Sequence, residues 1–214
     1  INTIIDFFSD EVAQEISEQY QKFDVVIARH MFAHNEDPAD LLAAMSLILT
    51  DDGIFLIENA YALDTFQNGE FDQIYHEHMF YFSALNISAL MQKFDFELLD
   101  FSHSPVHGGS GVFICGKKGK HTPNASVQDT LDLEKTAFQE KKIFHSFKAK
   151  IESNKIQAIK LIQDEIKQGH IVGAYGAPAK AFTVFSYYEL DDSSIAFCID
   201  TSPTKIGKVF PTFN

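Results

Sequence analysis

The hydrophobic pattern over the first part of the chain alternates between short apolar runs and helical spacings. Phe23–Ala28 and Ile54–Glu58 are short apolar runs of the kind that forms buried parallel strands. Between them, Asp37-Pro38 predicts the start of a helix, because proline is tolerated in a first helical turn. Ser9 and Ser83 are the predicted N-caps of two further helices. These elements together predict strands that alternate with helices.

Two more apolar runs, Phe96–Phe101 and Gly111–Cys115, flank a glycine-rich turn and predict an antiparallel hairpin. Asp51-Asp52-Gly53 is expected to be the loop that ends the preceding helix. The order strand, helix, strand, helix, strand, strand predicts an α/β fold over residues 1–122. It corresponds to the second half of a doubly wound sheet with an antiparallel final hairpin.

The rest of the chain changes pattern twice. Residues 123–169 are highly charged, with apolar residues at roughly helical spacing, and predict a helical connector that ends at Gly169. Residues 170–214 return to an α/β pattern, with strands expected at Ile171–Gly176 and Ile195–Asp200 and a helix beginning at Ala177. We therefore predict a partial Rossmann-like C-terminal domain.

Composition narrows the functional classes. The chain has 214 residues, and its formal net charge of −13 argues against nucleic-acid binding and against docking on anionic lipid. The sequence contains no apolar stretch of the roughly 18 residues that a membrane helix needs. The two cysteines, Cys115 and Cys198, lie in predicted strands without CxxC spacing, which favours free thiols and a cytoplasmic location. The sequence starts at Ile1 rather than Met, so we expect it to begin inside a longer protein.

Four consecutive side chains that can titrate or form hydrogen bonds occur at Tyr75-His76-Glu77-His78, and aromatic residues follow them. An enzyme that removes a proton from carbon needs a base with a tuned pKa and a donor for the developing oxyanion. Histidine is the side chain most easily tuned near neutral pH. From spacing alone, an exposed polar loop beside an aromatic cluster explains the motif equally well.

His30 and His34 are four residues apart and would share one face of a helix, where they could bind a metal ion. They follow a predicted strand and precede Asp37-Pro38, which favours a loop at the carboxyl end of that strand. Open α/β sheets bind ligands at that end of their strands.

Several motifs in this order resemble the S-adenosylmethionine-dependent C-methyltransferases that act on nucleotide-linked keto-sugars. The resemblance covers nearly the whole chain and implies a class I, Rossmann-like methyltransferase sheet. The matching segments are Asp6-Phe7-Phe8-Ser9, His30-Met31-Phe32-Ala33-His34, Phe71-Asp72-Gln73-Ile74-Tyr75-His76-Glu77-His78, Tyr81-Phe82-Ser83, His107-Gly108-Gly109-Ser110, Gly173-Ala174-Tyr175-Gly176-Ala177-Pro178-Ala179-Lys180, and Ile199-Asp200 with Pro203, Lys205 and Gly207.

The resemblance implies catalytic roles for four residues. A base removes a proton next to the sugar ketone, and the enolate carbon then accepts the methyl group. His78 is the implied base, Tyr75 is the implied partner of the enolate or sugar, and Glu77 orients the base or substrate. His34 is implied as a second acid or base, and a structural, hydrogen-bonded role explains it nearly as well.

The resemblance also implies residues that bind the cofactor, S-adenosylmethionine. Asp6 would accept a hydrogen bond from the adenine amine, Phe7 or Phe8 would flank the adenine ring, and His30 lies beside them in the implied site. One of the two phenylalanines is also expected to belong to the core.

Substrate contacts are implied at two glycine-containing turns. His107, Gly108, Gly109 and Ser110 would line the sugar side of the cleft with backbone amides and a hydroxyl group. Tyr175 and Lys180 belong to a strand, turn and helix start that would close over the nucleotide-sugar, with the lysine and helix N-terminus taking a phosphate.

The sequence departs from the family pattern in three ways. It contains neither the cysteine-rich zinc domain nor the glycine-rich cofactor turn that precede the matching segments in the family, and Gly111-Val112 replaces a larger residue and an arginine. One alternative is an incomplete homologue that binds nucleotide-sugar without turnover. Another is a metal-dependent enzyme using His76 and His78, although no metal site is expected because no third ligand is apparent nearby. The sequence leaves a homo-oligomer open.

Overall fold

In a computed structural model of the chain, which describes residues 2–210, two compact units form. The first unit takes in the described residues up to Asp64 together with Glu77–Glu140, and the second takes in Thr65–His76 and the described residues from Lys141 onward. The predicted connector, residues 123–169, contributes to both units. The motif Tyr75-His76-Glu77-His78 is also divided, after its histidine at position 76.

The first unit contains a four-stranded sheet with the strand order β1-β2-β4-β3. β1 and β2 are parallel, whereas β4 runs antiparallel to both β2 and β3. The prediction of an α/β sheet with an antiparallel final hairpin is confirmed. The strands are β1 Phe23–Arg29, β2 Leu49–Ala60, β3 Phe96–Ser104 and β4 Ser110–Lys117.

Helices connect the strands and cover the sheet. Ser9 and Ser83 cap the helices that follow them, since their side chains accept hydrogen bonds from Val12 N and Asn86 N. Asp37 caps α2, and Pro38 occupies its first turn as predicted. The helices are α1 Asp10–Gln19, α2 Pro38–Ile48, α3 Ala62–Asn68, α4 Ala84–Gln92 and α5 Ala125–Gln139, of which α3 begins in the first unit and continues into the second.

Two local predictions for this unit were wrong. Asp51-Asp52-Gly53 is not a loop, because β2 already begins at Leu49 and runs through these residues. Helix α3 was not predicted at all, since its seven residues are too few to show a helical period.

The core of the first unit lies between the sheet and its helices. The rings of Phe55 and Phe96 meet edge to face, with centroids 5.4 Å apart, and both side chains are fully buried. Cys115 is a buried free thiol whose pKa is raised by desolvation. Other large buried residues are Phe32, Leu41, Leu42, Leu49, Ile57, Ile87, Met91 and Phe113.

The second unit has a smaller core around Phe185, Leu190 and Ile195. Its strands are only two residues long, so the predicted strands over Ile171–Gly176 and Ile195–Asp200 were too long. A wholly apolar run indicates burial without fixing how much of it pairs with a neighbouring strand. The elements are α6 Lys142–Lys167, β5 Ala174–Tyr175, α7 Ala179–Tyr188 and β6 Cys198–Ile199, with β5 and β6 parallel.

Candidate active site

Polar residues of the first unit collect at the edge of the sheet where β1 ends and β4 begins. Arg29 and Glu58 are neighbours in the β1–β2 register, and the arginine Nε lies 2.7 Å from the glutamate Oε2. His30 follows directly, and its backbone amide donates to the Glu58 carbonyl. His107–Gly109, which we call the glycine loop, leads into β4 at the same edge. This is the edge at which open α/β sheets bind ligands.

His30 and His107 form a close pair at this edge. Their rings meet edge to face with centroids 4.7 Å apart, and both backbones are left-handed, with φ of 47° and 55°. Burial lowers the pKa of His30, and repulsion from His107 lowers it further, while Glu58 opposes both effects. The neutral imidazole is therefore favoured at His30.

His34 and His78 form a second pair, although they are 44 residues apart in the sequence. The imidazole centroids are 4.9 Å apart in an edge-to-face arrangement. His34 ends a short 3-10 turn, and the amide of Met79 donates to the carbonyl of Ala33, which fixes the two segments side by side. The structure thus brings together the two predicted acid–base histidines of the first unit.

An open cleft of about 810 Å³ lies beside His34. Phe7 is 91% exposed and Phe8 is half-buried, so the expectation that one of them belongs to the core was wrong. The aromatic faces are instead available to a ligand. Residues lining the cleft include Phe7, Phe8, Met31, His34, Asp37 and Leu41.

The lining of this cleft fits the adenosine part of S-adenosylmethionine. Its volume is in the range of small-molecule sites, and an exposed aromatic ring can cover a purine face. Carboxylates on the rim, among them Glu36 and Asp40, suit a ligand that carries positive charge. Asp6 is exposed, and its Oδ1 accepts a hydrogen bond from the amide of Phe7, so it lies at the base of the aromatic pair.

The glycine loop exposes fewer polar groups than the sequence predicted. Gly108 and Gly109 both have positive φ, as a backbone of this shape requires. Ser110 is fully buried, and its hydroxyl donates to the Val106 carbonyl, so the expectation of an exposed hydroxyl was wrong. Gly109 is also buried, and its amide donates to the Val106 carbonyl, so His107 and Gly108 are the exposed residues of this loop.

Tyr75 belongs to the second unit, where it follows the 3-10 turn Phe71–Gln73. The ring of Phe71 packs against those of Tyr187 and Tyr188 on α7, with centroids 5.0 and 5.5 Å apart. Tyr75 is half-buried, whereas Glu77, in the first unit, is exposed. Helix α7 therefore supports the segment that carries Tyr75.

Tyr175 and Lys180 lie at the predicted strand end and helix start of the second unit. Tyr175 is 84% exposed, and the Lys180 ammonium lies 3.8 Å from a carboxylate oxygen of Asp72. The amide of Ala177, which precedes α7, donates to the Asp200 carboxylate. Carboxylates thus already contact two of the groups that a phosphate would use, and the phosphate role of Lys180 stays a prediction.

One polar pair at the sheet edge was missed by the sequence analysis. His103, near the end of β3, contacts the Asp64 carboxylate on α3 through Nε2. No motif marks either residue, because the two lie 39 positions apart in elements of ordinary composition. The one available signal for His103 was a histidine near the end of a strand that leads into a hairpin turn.

Across residues 2–210, no group of three or more His, Cys, Asp or Glu side chains is arranged to hold a metal ion. In that same part of the chain, the helices are too short or too polar to cross a bilayer.

Comparison with protein families gives two matches that together cover almost the whole chain. Residues 105–214 match the model of a C-methyltransferase C-terminal domain, and residues 2–100 match that of a methyltransferase domain. The C-methyltransferase NovU from Streptomyces niveus is 31% identical over 213 residues, which is 99% of this chain and 51% of that protein. The chain therefore spans about half the length of this curated relative.

Solved structures give more distant similarities. A methyltransferase from Anabaena variabilis that depends on S-adenosylmethionine is 16% identical, with a TM-score of 0.40 over 54% of this chain and 58% of that one. Magnesium protoporphyrin IX methyltransferase from Synechocystis is 12% identical, with a TM-score of 0.36 over 46% and 47% of the two chains.

Proposed function

The chain belongs to the family of S-adenosylmethionine-dependent C-methyltransferases, and we propose that it carries the base and the adenosine cleft for C-methylation of a nucleotide-linked keto-sugar. The observation that carries this proposal is that His34 contacts both the cleft and His78. Its side chain lines the aromatic cleft, and its ring contacts that of His78. A cofactor group and a substrate base would then meet at one residue.

The proposed chemistry begins with proton removal from the carbon next to the sugar ketone. A neutral imidazole at His78 accepts that proton, and the C–H electron pair forms an enolate on the sugar. The bound cofactor supplies an electrophilic methyl group. The edge-to-face contact with His34 holds the His78 ring in place.

The other residues have supporting roles in this proposal. Phe7 and Phe8 cover the adenine, Asp6 accepts from its amine, and the neutral side chain of His30 avoids placing a positive charge beside the cofactor. Glu77 orients the base or the sugar hydroxyls, and the implied contact of Tyr75 with the enolate or sugar stays a prediction.

Titration calorimetry with S-adenosylhomocysteine tests the cleft. We expect one-to-one binding that Phe7→Ala weakens about tenfold, since stacking of a base on an aromatic ring contributes roughly 1–3 kcal/mol. The matched control is Phe182→Ala, which removes an exposed phenylalanine from the second unit and should leave affinity unchanged. Equal loss in both variants, or no binding by the unaltered chain, would contradict the assignment of the cleft.

Hydrogen exchange at carbon tests the base without methyl transfer. A nucleoside-diphosphate-linked keto-sugar in D₂O should gain deuterium next to its ketone when the chain is added. His78→Gln should lower this rate by roughly 10²–10⁴-fold, because the general base is lost. His121→Gln is the control, since the His121 ring contacts the carbonyl of Asp52 at the start of β2. Unchanged exchange in His78→Gln would remove His78 from the mechanism.

A further inference from the structure

We propose that His103, oriented by Asp64, is a second acid–base residue of the sheet edge that serves the oxygen of the substrate ketone. This inference rests on the proposed function and adds a residue pair that the family motifs do not mark. It starts from one contact, in which the Asp64 carboxylate accepts a hydrogen bond from His103 Nε2. The carboxylate is 15% exposed and the imidazole is 51% exposed, so the pair has one protected and one accessible end.

The position of the carboxylate is fixed by the glycine loop. A Cβ atom on Gly109 would collide with Oδ2 and the carboxyl carbon of Asp64, so the loop backbone packs directly on this side chain. The carbonyl of Gly109 also accepts from the amide of Tyr61, three residues before Asp64. Asp64 therefore has little freedom to turn away from His103.

This contact determines which ring nitrogen of His103 can act. Because a carboxylate accepts at Nε2, that nitrogen carries a hydrogen in both the neutral and the protonated ring. Proton exchange with a ligand is then left to Nδ1.

The register of the sheet places this pair at the edge already assigned to substrate. His103 is opposite Gly111 and Ser104 is opposite Ser110, immediately after the glycine loop. His103 and the residues of this loop all belong to the first unit. The Tyr61 ring lies 6.4 Å from the His103 ring and forms part of the same wall.

The proposed step balances without any additional reactant. When His78 takes the proton from carbon, the C–H electron pair forms a C=C bond and the carbonyl π pair moves to oxygen. Nδ1–H of protonated His103 donates its proton to that oxygen. When the ketone re-forms, the C=C pair forms a bond at carbon to the incoming methyl group, or to a deuteron in the exchange assay, and the enol proton returns to Nδ1. His103 is therefore unchanged over the cycle, and after methyl transfer the proton taken from carbon remains on His78.

The deuterium-exchange assay on the keto-sugar tests this step. We expect His103→Gln to slow exchange by about 100-fold, and Asp64→Asn to slow it by about tenfold with a shifted pH profile. Imidazole in solution should partly restore His103→Ala. The matched control is His170→Gln, because His170, just after the end of α6, forms a similar pair in the second unit, with its Nδ1 2.7 Å from Oε2 of Glu165 on α6. That variant should exchange at the unaltered rate.

The outcomes separate this inference from the proposed function. If His78→Gln stops exchange while folded His103→Gln keeps the unaltered rate and pH profile, the proposed function stands and the inference is wrong. If the unaltered chain catalyses no exchange, both are contradicted. Nitrogen NMR of the His103 ring gives a readout apart from activity. A single Nε2–H tautomer that is lost in Asp64→Asn supports the positioning role, and a tautomer mixture in the unaltered chain overturns it.

Discussion

His30 combines a left-handed backbone with a ring that is largely withdrawn from water. Its φ is 47°, and only glycine and short polar residues adopt that conformation at low cost. Its Nε2 is buried and makes no hydrogen bond, and it lies 3.8 Å from Glu58 Oε1. His30 is therefore expected to affect the stability of the fold in addition to its predicted role in cofactor binding.

The lowered pKa of His30 makes the stability of the chain depend on pH. Desolvation is the main cause, and His107 adds to it. The unfolded chain therefore binds a proton near the ordinary histidine pKa, while the folded chain resists protonation until a lower pH. The contribution of His30 to stability is complete above the ordinary pKa and is lost as the pH falls toward the folded value.

We expect His30→Asn to reduce the loss of thermal stability between pH 7.5 and pH 5.5. Asparagine tolerates the left-handed backbone and carries no titrating group, so the substitution isolates the protonation effect. Melting temperatures followed by circular dichroism at the two pH values measure it. His121→Asn controls for removal of a histidine elsewhere, and an equal flattening in both variants would mean that His30 is not the source.

At the scale of elements, a carboxylate from α5 supports the start of α4. Glu134 is fully buried, and its two oxygens accept from the amides of Ala84 and Leu85 at 2.7 and 2.8 Å. The Tyr61 hydroxyl donates to the same side chain at 2.7 Å, and burial with this contact raises the tyrosine pKa. The first amides of a helix have no partner within the helix, so Glu134 supplies one from outside.

Glu134→Ala should lower the free energy of unfolding by about 3 kcal/mol, because three donors lose their acceptor inside the core. Glu134→Gln should cost less than the alanine variant, because its carbonyl oxygen still accepts, but it should not be neutral, because its NH₂ group replaces an acceptor with a donor. Urea unfolding measures both. Asp129→Ala removes an exposed carboxylate from the same helix and should change stability by less than about 0.5 kcal/mol. A similar loss of unfolding free energy in the two alanine variants would show that the buried hydrogen bonds of Glu134 do not contribute to stability.

These elements show what the sequence could and could not predict. Helix starts at Ser9, Asp37 and Ser83 were predicted because capping is local and depends on a few neighbouring residues. Glu134 was missed, because a charge within an amphipathic pattern is normally assigned to solvent and its partners lie 49 to 73 positions away. Family resemblance implied active-site roles for both His34 and His78, but their contact was not predicted, because spacing alone does not show which distant loops meet.

At the scale of the whole molecule, the described residues form two units with separate cores. The cleft and both histidine pairs belong to the first unit, whereas Phe185, Leu190 and Ile195 form the core of the second. The second unit has its own cavity of about 550 Å³ beside β6, which contains none of the predicted site residues. The cofactor and any ligand of that cavity should therefore act on different parts of the chain.

Hydrogen–deuterium exchange with and without S-adenosylhomocysteine tests this division. A ligand that binds only the folded form stabilises it by about 2.7 kcal/mol at one hundred times its dissociation constant. Openings that release the ligand should then be about 100-fold rarer. We expect this slowing in peptides covering residues 7–11 and 31–41, which line the cleft, and none in α7.

Protection should be confined to these peptides because a bound ligand slows opening only in the cooperative unit that it contacts. Regions with separate cores open separately. With tenfold weaker binding, Phe7→Ala should reduce the slowing to about tenfold at the ligand concentration that slows exchange about 100-fold in the control Phe182→Ala. Protection confined to α7 and β6 would place the adenosine site in the second unit and contradict the role assigned to His34. Protection of residues 7–11 and 31–41 alone would tie the cofactor to the unit that also contains His78.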